Sequence, residues 1–260
     1  MKLLGKKNKK NAVKKQDNLL VVTPESSFHV QEAYKATRTN IMFSLSGKGC
    51  KKIVVTSSFP GEGKTTTCAN MAITFAQTGS RVLIIDADMR RPTLHRKLDV
   101  LNTNGLSNLL GRFCTLEEAI LKTKFDNLDV ITSGYLPPNP AELLASEAMT
   151  ELLMILDYKY DYIFIDTPPV NVVTDATVLS NRVSGTVVVV RQEMTHQKDV
   201  QETLSKLEFA QAKVLGFILH DVKESKRSYK KYGKYGKYGK YSRYEYKSTT
   251  QPQAESTVNA

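Results

Sequence analysis

Between an apolar run, Ile53–Val55, and a segment of helical character, Cys68–Ala72, lies Ser57-Ser58-Phe59-Pro60-Gly61-Glu62-Gly63-Lys64-Thr65-Thr66-Thr67. A strand, a tight glycine loop and a helix N-terminus together make a cradle for a polyphosphate. The loop's backbone N–H groups point inward, and the helix dipole adds positive potential there. Lys64 then reaches the β- and γ-phosphates, and the Thr65 hydroxyl is placed to ligate Mg²⁺. The pattern is G-x-x-x-x-G-K-[ST] with one departure, Ser58 where the first glycine belongs. A glycine-rich turn before an ordinary helix is the plainer alternative, and the strand–loop–helix context argues against it. This is a nucleotide site, with Ser58, Pro60, Gly61, Glu62, Gly63, Lys64, Thr65 and Thr66 as its expected contacts.

Two further runs end in acids. Arg81-Val82-Leu83-Ile84-Ile85-Asp86-Ala87-Asp88 is short and β-rich, and Met89-Arg90-Arg91-Pro92 closes it. An aspartate at the C-terminal end of a parallel strand faces the crevice where open α/β sheets bind ligands. Asp86 and Asp88 are two apart, so in extended geometry they share a face. With Arg90 and Arg91 they could form a structural ion-pair cluster; beside a phosphate loop, Mg²⁺ ligation or general-base work is the better reading. Asp161-Tyr162-Ile163-Phe164-Ile165-Asp166-Thr167-Pro168-Pro169 repeats the theme, and Asp166 suits Mg²⁺, held directly or through water. His29, His95, His196 and His220 are scattered without ligand spacing, so triad chemistry has no support.

The elements that must position these groups alternate. After an extended lead-in, Leu19–Ser27, helices are predicted over Val30–Phe43, Lys64–Gln77 (closed by Gly79), Leu116–Leu121, Ala141–Leu156, Asp175–Asn181 and His196–Phe209. Strands are predicted at Ile53–Val55, Arg81–Asp88, Leu128–Thr132, Asp161–Asp166, Gly185–Arg191 and Val214–Leu219, with Asn102–Ser107 as loop. Strands alternating with helices mean a mostly parallel sheet covered on both faces. Glu32, Lys35 and Arg38 fall roughly on one face of the first helix, and on spacing alone that is a solvated, salt-bridged face.

At 260 residues the chain suits one large α/β domain, 19–222, between a basic tail at 1–18 and a second tail at 223–260. No apolar run approaches the ~18–20 residues of a membrane span. The lysine-rich start lacks the apolar core of a signal peptide. Cys50, Cys68 and Cys114 are few and widely spaced, which reads as reduced thiols in a cytosolic protein. The net charge of +11 is concentrated at the ends: residues 1–16 carry +7 and residues 223–247 carry +8, leaving −4 for the rest. A mildly acidic body argues against a basic groove for nucleic acid. The tails suit an anionic surface or an acidic partner, or serve solubility alone.

In the second tail Tyr229, Tyr232, Tyr235, Tyr238, Tyr241 and Tyr244 recur at every third residue, with Tyr246 beyond. Glycine, lysine and almost no aliphatic residues preclude a packed core, so disorder is expected. The tyrosines could stack on single-stranded bases, or offer a string of acceptor hydroxyls on a tether, or have no role.

The phosphate loop Ser57–Thr67, the Asp-Ala-Asp-Met-Arg-Arg-Pro run, Ile163–Pro169 and the terminal tyrosine cluster occur in an order that resembles the bacterial tyrosine kinases (BY-kinases). The likeness is to the cytosolic type of Gram-positive capsule or exopolysaccharide systems, and it covers the chain from about Val30 onward. The resemblance implies a P-loop NTPase fold of the MinD/ParA-like kind, with ATP and Mg²⁺ as cofactors. In it Lys64, Asp86, Asp88 and Asp166 are catalytic, Thr65, Asp86 and Asp166 serve the metal, and Arg191 joins the nucleotide contacts. Asp86 is favoured to take the tyrosine proton, with Asp88 the competitor, and Tyr229–Tyr246 are the phosphoacceptors. Glu32, Lys35 and Arg38 resemble an E-x-x-R-x-x-R oligomerisation motif, with lysine in place of the first arginine. The implied partners are a ring of identical subunits, a transmembrane adaptor that recruits the cytoplasmic protein to the inner membrane face, and a cognate tyrosine phosphatase; nucleic acid is not among them. His220 stands where asparagine is expected near the adenine. The rival within the fold is a MinD/ParA-like switch ATPase, but the extra lysine of that type would fall at Phe59.

Overall fold

A computed structural model describes residues 21–45 and 47–222. The apolar runs become the centre of a seven-stranded sheet: β1 (Lys51–Ser57), β2 (Val82–Asp86), β3 (Ile120–Lys122), β4 (Leu128–Ile131), β5 (Tyr162–Asp166), β6 (Gly185–Arg191) and β7 (Val214–His220). Their spatial order is β3-β4-β2-β5-β1-β6-β7, parallel throughout except for β3 at one edge. Ile53–Val55, Val82–Ile85 and Ile163–Ile165 are buried on both faces, which is why they read as unbroken apolar runs and not as alternations.

Register then assembles the acids. β2 and β5 pair so that Asp86 lies opposite Asp166, and β1 runs beside β5 with Val55 opposite Asp166. The C-terminal ends of the three central strands therefore deliver the phosphate loop and both acidic motifs to one edge. Between them Ala87 donates its N–H to the Asp166 carbonyl at 2.8 Å.

Helices cover both faces. On one, α1 (Phe28–Ser44) and α2 (Lys64–Ala76) pack against Ile53, Val55, Ile84 and Phe164. Every residue of α2 after Lys64 is buried, and Phe75 stacks edge-on against Phe164 at 5.1 Å. α3 (Leu94–Leu98) joins the same side through Leu94 and Leu98. On the other face α4 (Leu106–Leu110), α5 (Leu116–Ala119), α6 (Pro140–Ala145), α7 (Glu147–Leu156), α8 (Asp175–Ser180) and α9 (Gln197–Phe209) enclose Val54, Leu83, Ile85, Ile163 and Val188.

Several local expectations change. The predicted helix over Leu116–Leu121 ends at Ala119, and Ile120–Lys122 turn into the antiparallel edge strand. Pairing with β4 was not visible locally. Ala141–Leu156 is two helices, not one: Ser146 (φ −64°, ψ 160°) ends α6 and caps α7, accepting from Met149 N–H at 3.3 Å. Arg182 holds the break by donating to the carbonyls of Leu144, Ala145 and Ser146. α3 covers a stretch for which no element was expected, and the start of α4 replaces the end of the expected loop Asn102–Ser107.

The predicted trio on α1 does not share one free face. Lys35 and Glu32 pair with each other at 2.8 Å on the exposed side. Arg38 turns inward and donates to the Thr74 carbonyl at 2.7 Å, a cation bound in the last turn of α2. The lysine-rich start and the tyrosine cluster lie outside the described residues. Among the described residues no helix is long and apolar enough to cross a membrane.

Candidate active site

The loop between β1 and α2 is held open by glycines and braced from behind. Gly61 and Gly63 adopt φ of +91° and +90°, a region that costs other residues about 1–2 kcal/mol. At Gly63 the reason for glycine is also steric, since a Cβ would lie 2.4 Å from the His220 ring. Gly63→Ala should therefore lower stability by about 2–3 kcal/mol and weaken nucleotide binding. Adding His220→Ala should recover the steric part and leave about 1–2 kcal/mol of backbone strain, measurable as a double-mutant cycle in urea.

Glu62 and Ser58 were expected at the nucleotide; their side chains are buried and are not among the groups that line the phosphate cleft. The buried Glu62 carboxylate accepts the Phe59 N–H at 2.9 Å and the Thr195 hydroxyl, so it braces the loop. The fully buried Ser58 hydroxyl accepts from Thr203 of α9 at 2.9 Å. That bond explains why serine is tolerated at a glycine position: its side chain has a partner outside the cradle. Arg191 clamps the loop by donating to the Gly61 carbonyl at 3.0 Å, and Asp221 fixes its guanidinium at 2.7 Å.

Lys64 is the meeting point. Its ammonium lies 2.7 Å from Asp88 Oδ2, 3.3 Å from the Thr65 hydroxyl and 3.8 Å from Asp166 Oδ1. Burial alone would lower its pKa, but Asp166 and Asp88 outweigh that and raise it, so the charge is secure. Asp88 also accepts the Arg91 backbone N–H at 3.0 Å. Asp86 sits deeper, with one oxygen accepting the Asp88 N–H at 3.2 Å and the other the Leu94 N–H at 3.3 Å. Burial and the facing Asp166 push its carboxyl well above the usual range. Asp166 is fully buried, and neither of its oxygens has a hydrogen-bond partner. Its carboxyl is raised by burial, partly offset by Lys64 and by the nearby Thr65 hydroxyl.

A buried carboxylate with no hydrogen-bond partner, beside a hydroxyl and under a phosphate cradle, fits Mg²⁺, which favours few protein ligands plus substrate phosphates. Among the described residues no cluster of three or more acid, imidazole or thiol groups would hold a metal unaided.

These groups open onto a cleft of about 610 Å³ whose walls include Pro60, Gly61, Lys64, Thr65, Thr66, Asp88 and Arg191. Asp86 and Asp166 lie behind that wall, without exposure. A second cavity of about 600 Å³ lies along Val170–Val178 and α9 but is mainly apolar and holds no such cluster. Three wall or bracing features escaped the sequence: the Arg90 fork on buried Asp175, Thr195 against Glu62, and Asp221 behind Arg191. Partners 85, 133 and 30 residues apart leave no local signal. In the sequence His220 differs only by its residue type from the expected asparagine. Its ring packs on Gly63, and burial lowers its pKa.

Comparison with known proteins adds identity to geometry. Residues 50–215 match the model of a family described as AAA domain. Tyrosine-protein kinase YwqD of Bacillus subtilis is 41% identical over 211 residues, 81% of this chain and 89% of that protein. The chain belongs to the bacterial tyrosine kinase family. Putative tyrosine-protein kinase CapB of Staphylococcus aureus is 41% identical to this family member over 76% of its chain and 86% of the relative. Among solved structures, the kinase domain of Escherichia coli tyrosine kinase ETK superposes with a TM-score of 0.75 at 35% identity, covering 80% of this BY-kinase and 81% of that chain. The Pyrococcus horikoshii septum site-determining protein MinD follows at 0.58 and 28%, covering 68% and 73%. The expected MinD/ParA-like α/β architecture is thus the observed one.

Proposed function

We propose that this chain transfers the γ-phosphoryl group of ATP to tyrosine hydroxyls of its own terminal cluster, Tyr229 to Tyr246, presented by a neighbouring copy in an oligomer. The modification would regulate capsule or exopolysaccharide synthesis. The observation that carries it is the buried Lys64–Asp88–Asp166 constellation, with Lys64 and Asp88 on the wall of the phosphate cleft and Asp166 behind it. ATP would lie along the loop, with Lys64 leaving Asp88 for the β- and γ-phosphates and so freeing that carboxylate. The tyrosine oxygen bonds to the γ-phosphorus, the bond to the β,γ-bridging oxygen breaks, ADP departs, and the phenolic proton passes to a carboxylate. The geometry favours Asp88 for that proton over Asp86, the first choice from the sequence. Asp88 lines the cleft, whereas both Asp86 oxygens already accept backbone N–H groups. Thr65 and Asp166 would hold Mg²⁺, whose chemistry is to neutralise charge developing on the phosphates.

An adaptor with a membrane span, and a ring built through Glu32 and Lys35, complete the proposal. Arg38 serves the fold first. The test is to incubate the full chain with Mg·ATP and the adaptor's cytoplasmic segment, then map phosphate by mass spectrometry. Phosphate on Tyr229–Tyr246 that vanishes in Lys64→Met supports the kinase reading. ATP hydrolysis with unmodified tyrosines moves the reading to a switch ATPase with a binding tail.

A further inference from the structure

Three arginines border the cleft, and two are already neutralised. Arg90 forks onto buried Asp175, Nε and Nη2 each at 2.9 Å from a carboxylate oxygen. Arg191 commits Nε and Nη2 to Asp221 and Nη1 to the Gly61 carbonyl. Arg91 differs. Its backbone N–H is fixed by Asp88, but its exposed side chain on the cleft wall has no hydrogen bond or ion pair among the described residues.

A guanidinium without a carboxylate presents a planar fork that matches a phosphate bidentately. The γ-phosphate of ATP already has Lys64 and the loop amides, so Arg91 is available to a second anion. The unmodified tail is a poor candidate, because each tyrosine from 232 to 241 is preceded or followed closely by lysine or arginine. A phosphorylated tyrosine is a good one: it brings about −1.5 to −2 charges and three acceptor oxygens.

We propose that Arg91 recognises a phosphotyrosine of the tail and so presents the next tyrosine of the same segment to the site. Tyrosines three residues apart are separated by at most about 10–11 Å of extended chain. The inference rests on the kinase reading above and adds an order to it: each transfer primes the next.

The experiment uses two synthetic peptides of residues 229–241, one unmodified and one carrying phosphotyrosine at Tyr235, with the full-length chain. Transfer is followed with Mg·ATP, and binding is followed separately by fluorescence anisotropy without nucleotide. The primed peptide is expected to show a KM about tenfold lower with kcat changed less than about twofold. In Arg91→Gln the ratio of primed to unprimed KM should collapse to about one, and Arg91→Lys, which keeps the charge but not the fork, should restore only part of it. Anisotropy should give the same ranking without any chemistry. If neither peptide is phosphorylated, the kinase reading fails, and the binding ratio alone decides the role of Arg91. Equal binding of the two peptides by the unaltered chain, or a preference that survives Arg91→Gln, overturns the inference.

Discussion

Lys64→Met is expected to lower phosphoryl transfer by at least about 10³-fold, because a preorganised charge aimed at the transferring group is lost in a water-poor site. The structure adds a second consequence. Lys64 is the cation beside both Asp88 and Asp166, with its own side chain only 12% exposed. Removing one member of a buried pair costs up to about 3–5 kcal/mol when the other stays ionised. The carboxyls of Asp86 and Asp166, already raised, lose a neighbour that lowered them and rise further. A carboxyl raised in the folded state binds its proton more tightly than in the unfolded chain. Its contribution to stability is greatest below the ordinary value of 3.8 and is lost as pH rises through the raised one. The variant's melting temperature should therefore fall least at acid pH and progressively more as pH rises and those carboxyls lose their protons. A variant that melts normally at all pH values but transfers no phosphate would confine Lys64 to chemistry. One that still transfers phosphate at the normal rate would remove it from the mechanism.

The opposite trade is expected at Asp166. Neither of its buried oxygens has a hydrogen-bond partner, and the Lys64 ammonium 3.8 Å away offsets only part of the cost of burial, so in the absence of nucleotide the carboxylate is a liability to the fold. Asp166→Asn removes the charge and leaves Lys64 with Asp88 at 2.7 Å. Nucleotide-free protein should gain about 1–3 kcal/mol in urea denaturation at neutral pH, while transfer falls by at least about 10²-fold. The gain should shrink as pH drops, since the native carboxyl takes up its proton there and asparagine has none to take. Addition of Mg·ATP should stabilise the natural chain and leave the variant nearly unchanged. A variant less stable than the natural chain without nucleotide would make Asp166 a structural residue and not a held ligand site.

How much of this was legible in the chain follows from the range of the interactions. Lys64 and Thr65 are set by a local strand, loop and helix start, so their spacing in Ser57–Thr67 is enough to name a phosphate cradle. Asp86 and Asp166 end apolar runs that are buried on both faces, and such runs announce central parallel strands by composition alone. The six strands of the parallel sheet, and the family itself, come from signals of this kind.

Only the tertiary structure could decide the rest. It separates Asp86 from Asp88: two residues apart in an extended run they would share a face, but β2 ends at Asp86 and the chain turns, leaving Asp88 on the cleft. Ser58, Glu62 and Arg38 carry the right chemistry for nucleotide or partner, yet Thr203, Thr195 and the Thr74 carbonyl claim them first. Polar groups drawn out of water take whatever partner the packing supplies, and those partners lie tens to more than a hundred residues away. The sequence by itself therefore determined the cradle, the acids and the sheet, because each depends on neighbours along the chain. Which side chains remain available to a ligand, and that Arg91 does while Arg90 does not, was decided by the fold that brought Asp175 to one of them.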